Sequence, residues 1–399
     1  MIDEIIIASD GGRLRAALRA DGRLMEVLLE EDEGDAAVGD IFVGRVTAVM
    51  RGMEACFVDI GAEKAGFLSL APRGDDASPA LEDVPTEGAR VLVQVTKAAQ
   101  MGKGAGLTRN VSLAGRFLVL TPYQARIAIS RRIEDAAARA RLENILASIG
   151  APEGGGFIVR TAAAEADSEL LAADARALCA HWEEIREAIG NVGVPDRLHG
   201  ESRGLVPVLR DRAHGGLRRV IVDTPRLAET ARAFFAAYLP ESDVRIEVWD
   251  GPDPVFEAYG IEDDIATVWE TDVWLPCGGS LIIEQTHAMT TIDVNTSRNT
   301  GRSSHAATVL QTNMEAAEEI ARQLRLRALG GLCVIDFIHM DSDEDEDEVL
   351  DTLLDALEDD PAFIRATEFS ELGLVELARR RGAGSLAERL AGRDGVDDT

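Results

Sequence analysis

Two apolar strands, each carrying an aspartate near its carboxyl end, flank one long helix in the last third of the chain. The strands are TTIDVN, with Asp293, and LCVIDFI, with Asp336. Between them TVLQTNMEAAEEIARQLRLRAL repeats its apolar positions with helical period, with Thr308 a plausible cap and Gly330 and Gly331 ending it. A strand, crossover helix and strand join right-handedly, so the two strands are expected side by side and parallel. Both aspartates then fall near the carboxyl ends of neighbouring strands, where open α/β sheets place their ligands.

Asp336 sits inside an otherwise apolar run, where a buried ionised carboxylate without a partner would cost several kcal/mol. Asn295 follows Asp293 by two residues and projects from the same strand face. On spacing alone two readings stay open. In one, both carboxylates share a divalent ion. Mg²⁺ suits this because it accepts one or two carboxylates and keeps several waters, which is the chemistry of phosphodiester hydrolysis, with Asn295 orienting water or a phosphate oxygen. In the other, Asp336 pairs with an arginine such as Arg322 or Arg325 and Asp293 caps a turn.

Composition narrows the choice of metal and partner. Cys56, Cys179, Cys277 and Cys333 are scattered singly, and six histidines show no ligand spacing, so no zinc centre is expected and any metal should be hard. The formal net charge of −30 weighs against a nucleic-acid partner, because Lys and Arg normally supply that affinity by neutralising phosphates. Lys64, Lys97 and Lys103 are the only lysines, so any RNA contact must be local and favour the guanidinium fork. No apolar run reaches the length of a membrane span, and MIDEIIIASDGG has neither a basic start nor a cleavage site. A cytoplasmic protein without a membrane span is expected.

A length of 399 residues calls for several modules. The opening IDEIIIAS reads as a strand, and RLRAALRADGRLMEVLLEE as two more around an Asp21-Gly22 turn. GDIFVGRVTAVMRGMEACFVDIGAEKAGFLSL and VLVQVTKAA form a run of short strands that fits an OB-type barrel. RFLVLTPYQARIAISRRI adds a strand pair, followed by a helix from 133 to 148, the strand FIVRT and a helix over 168 to 188 with Ser168 as a candidate N-cap. LRRVIVD, ETARAFFAAYL and VRIEVWD make a β-α-β unit before a helix-like IEDDIATVWE. VWLPCGGSLIIEQTHAMTTIDVN reads as two strands joined after a Gly-Gly turn, and the acid cluster from Asp341 to Asp360 as a solvated helix face or loop.

TTIDVNTSRNT, then NMEAAEEIARQLRLRALGGLCVIDFI, closely resembles the catalytic segment of the ribonuclease E/G family, in a match without gaps between the two aspartates. The likeness extends through GDIFVGRVTAV, FVDIGAEKAGFLSL, KGAGLT, SLAGRFLVL, ISRRI, FIVRTA and the WLPCGGSLIIEQTHAMTTID run. It implies a magnesium-dependent endoribonuclease (Mn²⁺ a substitute) acting on single-stranded RNA in rRNA processing or mRNA decay and leaving 5′-phosphate and 3′-hydroxyl ends. Asp293 and Asp336 would bind the metal with Asn295 assisting. Phe57, Phe67 and Lys103 would contact RNA, although a lone Phe is more often core. Arg160 and Thr161 resemble the pair that reads a 5′-monophosphate. The implied fold is α/β multidomain (α+β). An RNase H-like unit (1–35 and 205–268) is interrupted by an OB-fold barrel (36–118) and a sensor-like domain (119–204). A deoxyribonuclease-I-like catalytic domain (269–385) and a flexible acidic tail (386–399) follow.

The pattern breaks in places. AAAEADS stands where relatives carry a glycine- and lysine-containing stretch, His339 stands where an acidic residue is usual, and the cluster at 341–360 replaces a more positive segment. Neither the Cys-Pro zinc link nor a degradosome scaffold tail is recognisable, which leaves homo-oligomerisation open but without a zinc link. An RNA-binding or ribosome-assembly protein with little cleavage is the alternative, and a structural protein whose carboxylates only hold the fold together is a third.

Overall fold

The computed structural model describes residues 1–10, 13–29, 36–70, 85–99, 103–200, 204–296, 305–382 and 384–394. The chain divides into two units. One comprises Met1–Leu29, Gly216–Glu229 and Ser242–Thr399, the other Glu30–Gly215 and Thr230–Glu241.

The first unit opens with an antiparallel meander, β1 (Glu4–Asp10), β2 (Arg13–Ala20) and β3 (Arg23–Leu29). Asp21 and Gly22 at φ 47° and 78° make the β2–β3 turn, the pair of left-handed residues that a two-residue hairpin demands.

In the second unit, β4 (Ile41–Met50), β5 (Ala55–Asp59), β6 (Gly66–Ser69), β7 (Arg90–Lys97) and β8 (Gly106–Thr108) pair in the order β4-β5-β6-β8-β7. A β4–β7 ladder closes these five strands into a barrel consistent with an OB fold. Alternation sends Val46, Cys56, Val58, Leu68, Val93, Val95 and Leu107 inward. Next, β9 (Leu113–Ala114), β10 (Leu118–Thr121), β11 (Ile127–Ile129), α1 (Ala136–Ile149), β12 (Gly156–Val159) and α2 (Ser168–Ile189) build a four-stranded sheet with two helices. The N-cap of α2 is Asp167, not Ser168, its carboxylate accepting from the Leu170 N–H at 2.8 Å. A carboxylate one residue earlier suits the positive helix end better than a hydroxyl. Then β13 (Asp196–His199) pairs with β4, and α3 (Leu205–Arg212) follows.

The parallel neighbours of β1 are β14 (Arg219–Val222) and, beyond it, β15 (Arg245–Val248), joined through α4 (Pro225–Tyr238). IEDDIATVWE is split between a short helix and a 3₁₀ turn. After α5 (Val255–Ala258), α6 covers Ile261–Ala266 and the turn Thr267–Trp269. The last sheet contains β16 (Asp272–Trp274), β17 (Ser280–Gln285) and β18 (Met289–Asn295), so the stretch expected as two strands holds three. α7 (His305–Leu326) crosses to β19 (Gly331–Asp336), and α8 (Asp343–Glu358), β20 (Ile364–Ala366) and β21 (Leu374–Arg379) complete the order β16-β17-β18-β19-β21-β20. Thr308 lies inside α7, its carbonyl accepting from the Thr312 hydroxyl, so it does not cap the helix. α7 and α8 bury one face of this sheet through Val309, Ala316, Ile320, Leu324, Val349 and Leu353.

Most of the acid cluster is the outer side of α8, whose Val349, Leu353 and Leu357 face the core, but Asp360 beyond the helix is buried and bonds Arg379 at 2.9 Å. Of the tail expected at 386–399, residues 386–394 are instead helix α9 (Leu386–Asp394), and 395–399 lie outside the described residues. Leu386 is fully buried and Ala387 and Leu390 pack beside it, a helical spacing that earns the segment a place on the core. Among the described residues no helix is long and apolar enough to cross a membrane.

Candidate functional site

Asp293 and Asp336 are register partners in the parallel β18–β19 ladder. Adjacent strands lie about 4.8 Å apart, so the two carboxylates leave the sheet side by side. Alternation fixes their direction. Ile292, Val294, Cys333 and Ile335 are buried against α7 and α8, which turns Asp293, Asn295 and Asp336 to the opposite, open face. Both aspartates are exposed there, which corrects the expectation of buried acids. The apolar look of LCVIDFI misled because helices cover only one face of this sheet, and Val334 and Ile338 are half-buried.

Among the described residues the competing arginine pairing is not formed. Arg322 bonds Glu319 and the Leu24 carbonyl, and Arg325 bonds Glu26 and the Asp359 carbonyl. Asp293 sits in the ladder between Ile282 and Asp336 and, among the described residues, caps no turn. Its Oδ2 instead accepts from Asn295 Nδ2 at 2.8 Å, which leaves Asn295 Oδ1 and the second amide N–H for other partners.

Two further contacts fix this edge. Asn313 of α7, fully buried, donates to the Ile338 carbonyl at 2.8 Å and accepts from the Ile338 N–H at 3.1 Å, pinning the chain just beyond Asp336. Gly279 lies so close to Asn295 that an added Cβ would stand 2.8 Å from the Asn295 carbonyl oxygen and 2.8 Å from Thr312 Cγ2. Only glycine allows β17 to start there. The sequence reading missed Asn313, although an amide on the buried stripe of an amphipathic helix is a signal.

Two carboxylates in register repel one another unless a cation or proton lies between them. An all-oxygen pair beside an amide fits a hard divalent ion such as Mg²⁺. Among the described residues no set of three or more His, Cys, Asp or Glu side chains converges as a metal site, so such an ion would keep most of its waters. The nearby Cys333 thiol is pushed up to about 12 by burial and is no thiolate ligand.

On the barrel, Ala48, Phe57, Phe67, Gly106 and Lys97 are successive register partners across β4, β5, β6, β8 and β7. Phe57 and Phe67 point outward and are half-buried, with ring centroids 5.9 Å apart at 71°, so neither belongs to the barrel interior. Gly106 offers no side chain between Phe67 and the exposed Lys97, which leaves an aromatic step beside a positive charge. Lys97 was not anticipated as a site residue. Lys103 is exposed beside Gly104, whose Cβ would fall 2.0 Å from the Ala65 carbonyl oxygen.

Arg160 and Thr161 follow β12 directly. The Arg160 guanidinium donates to the Gly115 carbonyl at 2.8 Å and to Asp211 at 2.5 Å, and Thr161 Oγ1 lies 3.0 Å from Ser130 Oγ. Arg160 is therefore no loose solvated charge, and two of its five N–H groups are used. Burial pushes the Asp211 carboxyl up, but Arg210 and Arg160 more than offset this and hold it below the usual carboxylate range. Beside them, buried Asp174 accepts from the N–H groups of Arg116, Phe117 and Leu118, which fixes the start of β10.

A closed five-strand barrel together with paired carboxylates on an open sheet face defines a mixed α+β, multi-module class of protein. A family model described as "Ribonuclease E/G family" matches residues 112–382. Ribonuclease E of Haemophilus influenzae is 39% identical over 394 residues, covering 96% of this chain and 42% of that protein. Ribonuclease E of Escherichia coli is also 39% identical, over 96% of this chain and 37% of its own length. Ribonuclease G of Salmonella typhimurium is 38% identical over 96% of this chain and 80% of its length. The chain belongs to the ribonuclease E/G family. It spans about two fifths of the length of these ribonuclease E relatives and four fifths of the ribonuclease G relative.

Proposed function

We propose that the chain is an endoribonuclease that hydrolyses single-stranded RNA at Asp293, Asn295 and Asp336, in the cytoplasm and in the service of rRNA processing or mRNA decay. The observation that carries this reading is the register pairing of Asp293 with Asp336 on an open face. The two carboxylates would hold Mg²⁺, or Mn²⁺ in its place. The bound ion would supply Lewis-acid polarisation of a phosphoryl oxygen and a more acidic water. Asp293 holds the Asn295 amide, whose remaining donor and acceptor orient a water or phosphate oxygen for in-line attack. Cleavage leaves 5′-phosphate and 3′-hydroxyl ends.

Phe57, Phe67 and Lys103 on the barrel bind the strand, by base stacking and one phosphate contact. Arg160 and Thr161 read a 5′-monophosphate, a fork matched to two phosphate oxygens beside a hydroxyl donor. In this reading 1–35 and 205–268 are the RNase H-like unit, 36–118 the OB barrel, 119–204 the sensor-like domain and 269–385 the deoxyribonuclease-I-like catalytic domain. The test is cleavage of a 5′-monophosphorylated single-stranded RNA with and without Mg²⁺ by wild type, Asp293→Asn and Asp336→Asn. Cutting by wild type alone, and only with the metal, is expected. RNA binding by all three chains without any cutting would overturn the enzyme in favour of an RNA-binding module.

A further inference from the structure

Trp274 is 75% exposed, an unusual place for the largest apolar side chain. Its register partners across the sheet are Ser280 and then Asn295, and its neighbour Val273 packs on the core side. Alternation therefore puts Trp274 on the same open face as Asp293, Asn295 and Asp336, two strands from Asn295, about 10 Å across the ladder. The support is rigid. Leu275 beside it is buried, the Leu275 N–H bonds the Gly279 carbonyl, and the Cys277 N–H bonds Glu315 of α7 at 2.7 Å. The indole N–H has no partner among the described residues, and nothing in the core uses the ring.

We propose that Trp274 is a stacking platform for a base of the RNA strand held at the paired aspartates. The inference rests on the reading of that face as an RNA site. Charge favours a base over a phosphate here. Asp272, Asp293 and Asp336 share one row of the face, and a chain of net charge −30 gains little by drawing in phosphates except through a cation. Stacking on an aromatic face is neutral, tolerates every base and is strongest on a rigid support. A second copy of the chain covering the same ring is the competing occupant.

The test is made in the Asp336→Asn background, so that binding is read without cutting. RNA oligonucleotides with a single abasic nucleotide moved along the strand are titrated against this chain and against the same chain carrying Trp274→Ala. Trp274→Ala is expected to weaken binding about 5- to 100-fold with an unchanged salt slope, where loss of a phosphate contact would flatten the slope. Trp274→Phe restores most of the affinity. One abasic position weakens the Trp274 chain and leaves the Ala chain unaffected, because the partner is already gone. Equal losses for both chains at every position overturn the proposal, as does a mass change in light scattering with RNA affinity intact, which gives the ring to a second copy. Cutting by the wild-type chain is scored separately. If it cuts and no coupling is seen, the stacking contact alone fails. If coupling is seen and it does not cut, the contact stands and the nuclease reading fails.

Discussion

Asp211 lies 2.5 Å from Arg160, so the guanidinium expected to read a terminal phosphate already faces a carboxylate of its own chain. Arg210 holds that carboxylate from the other side through Nε and Nη2, both at 3.1 Å. A 5′-phosphate must use the remaining N–H groups of Arg160 against the repulsion of Asp211. Asp211→Asn is therefore expected to raise the kcat/KM ratio of 5′-monophosphorylated over 5′-hydroxyl RNA several-fold, and Arg160→Ala to lower it by about tenfold, the worth of one charge-assisted hydrogen bond. Ratios that do not move would show that the pair is structural.

Asn313 closes two hydrogen bonds with Ile338 from a fully buried position. Asn313→Ala removes both and strands the Ile338 amide and carbonyl, costing about 2–6 kcal/mol of stability at roughly 1–3 kcal/mol per unsatisfied group. If the tether also fixes Asp336, kcat drops while KM holds. Denaturant titration beside steady-state kinetics separates the two effects, and an unchanged kcat would confine Asn313 to folding.

Phe57→Ala and Phe67→Ala should each weaken RNA binding by about 1–3 kcal/mol. The rings touch edge to face, so the double variant is expected to lose less than the sum of the singles. Strict additivity in a binding titration would argue for independent contacts.

Glu319 on α7 is nearly buried and bonds Arg322 at 2.6 Å, Gln323 at 2.8 Å and Arg23. Burial raises its carboxyl, but Arg322, Gln323 and Arg23 together hold it below its ordinary value of 4.5. A depressed folded value stabilises the protein above the unfolded one, and the gain disappears as pH falls through the folded value. Wild-type stability should therefore decline as pH drops below the ordinary value of 4.5 and through the depressed folded value, and Glu319→Gln should flatten that decline. At neutral pH Glu319→Ala is expected to cost about 3 kcal/mol, because it leaves the partly buried Arg322 without its carboxylate. Parallel acid slopes for the two chains would place the titration elsewhere.

The strand, helix and strand around Asp293 and Asp336 were legible in sequence because local periodicity and crossover handedness need no distant information. The Asp21-Gly22 turn was legible for the same reason. The burial of the aspartates was not, since an apolar strand reads alike whether one face or both are covered, and only α7 and α8 packing on a single face decides it. Asp167 and Ser168 are adjacent cap candidates, and the choice depends on where the chain turns into α2. The residues around Arg160, namely Gly115, Ser130 and Asp211, come from three segments, so their meeting is a product of tertiary structure. Trp274 escaped because exposure cannot be read from a sequence. α9 was hidden by its acidic, glycine-containing surroundings, although Leu386 and Leu390 stand one helical turn apart.

The spacing between Asp293 and Asp336 is set by a backbone ladder and not by the reach of flexible side chains. In the proposed nuclease, drift in the surrounding surface would change which strands are held while the spacing of the two acids is inherited with the sheet. A lineage built this way would diversify by changing what it holds, with its acid pair kept by the ladder.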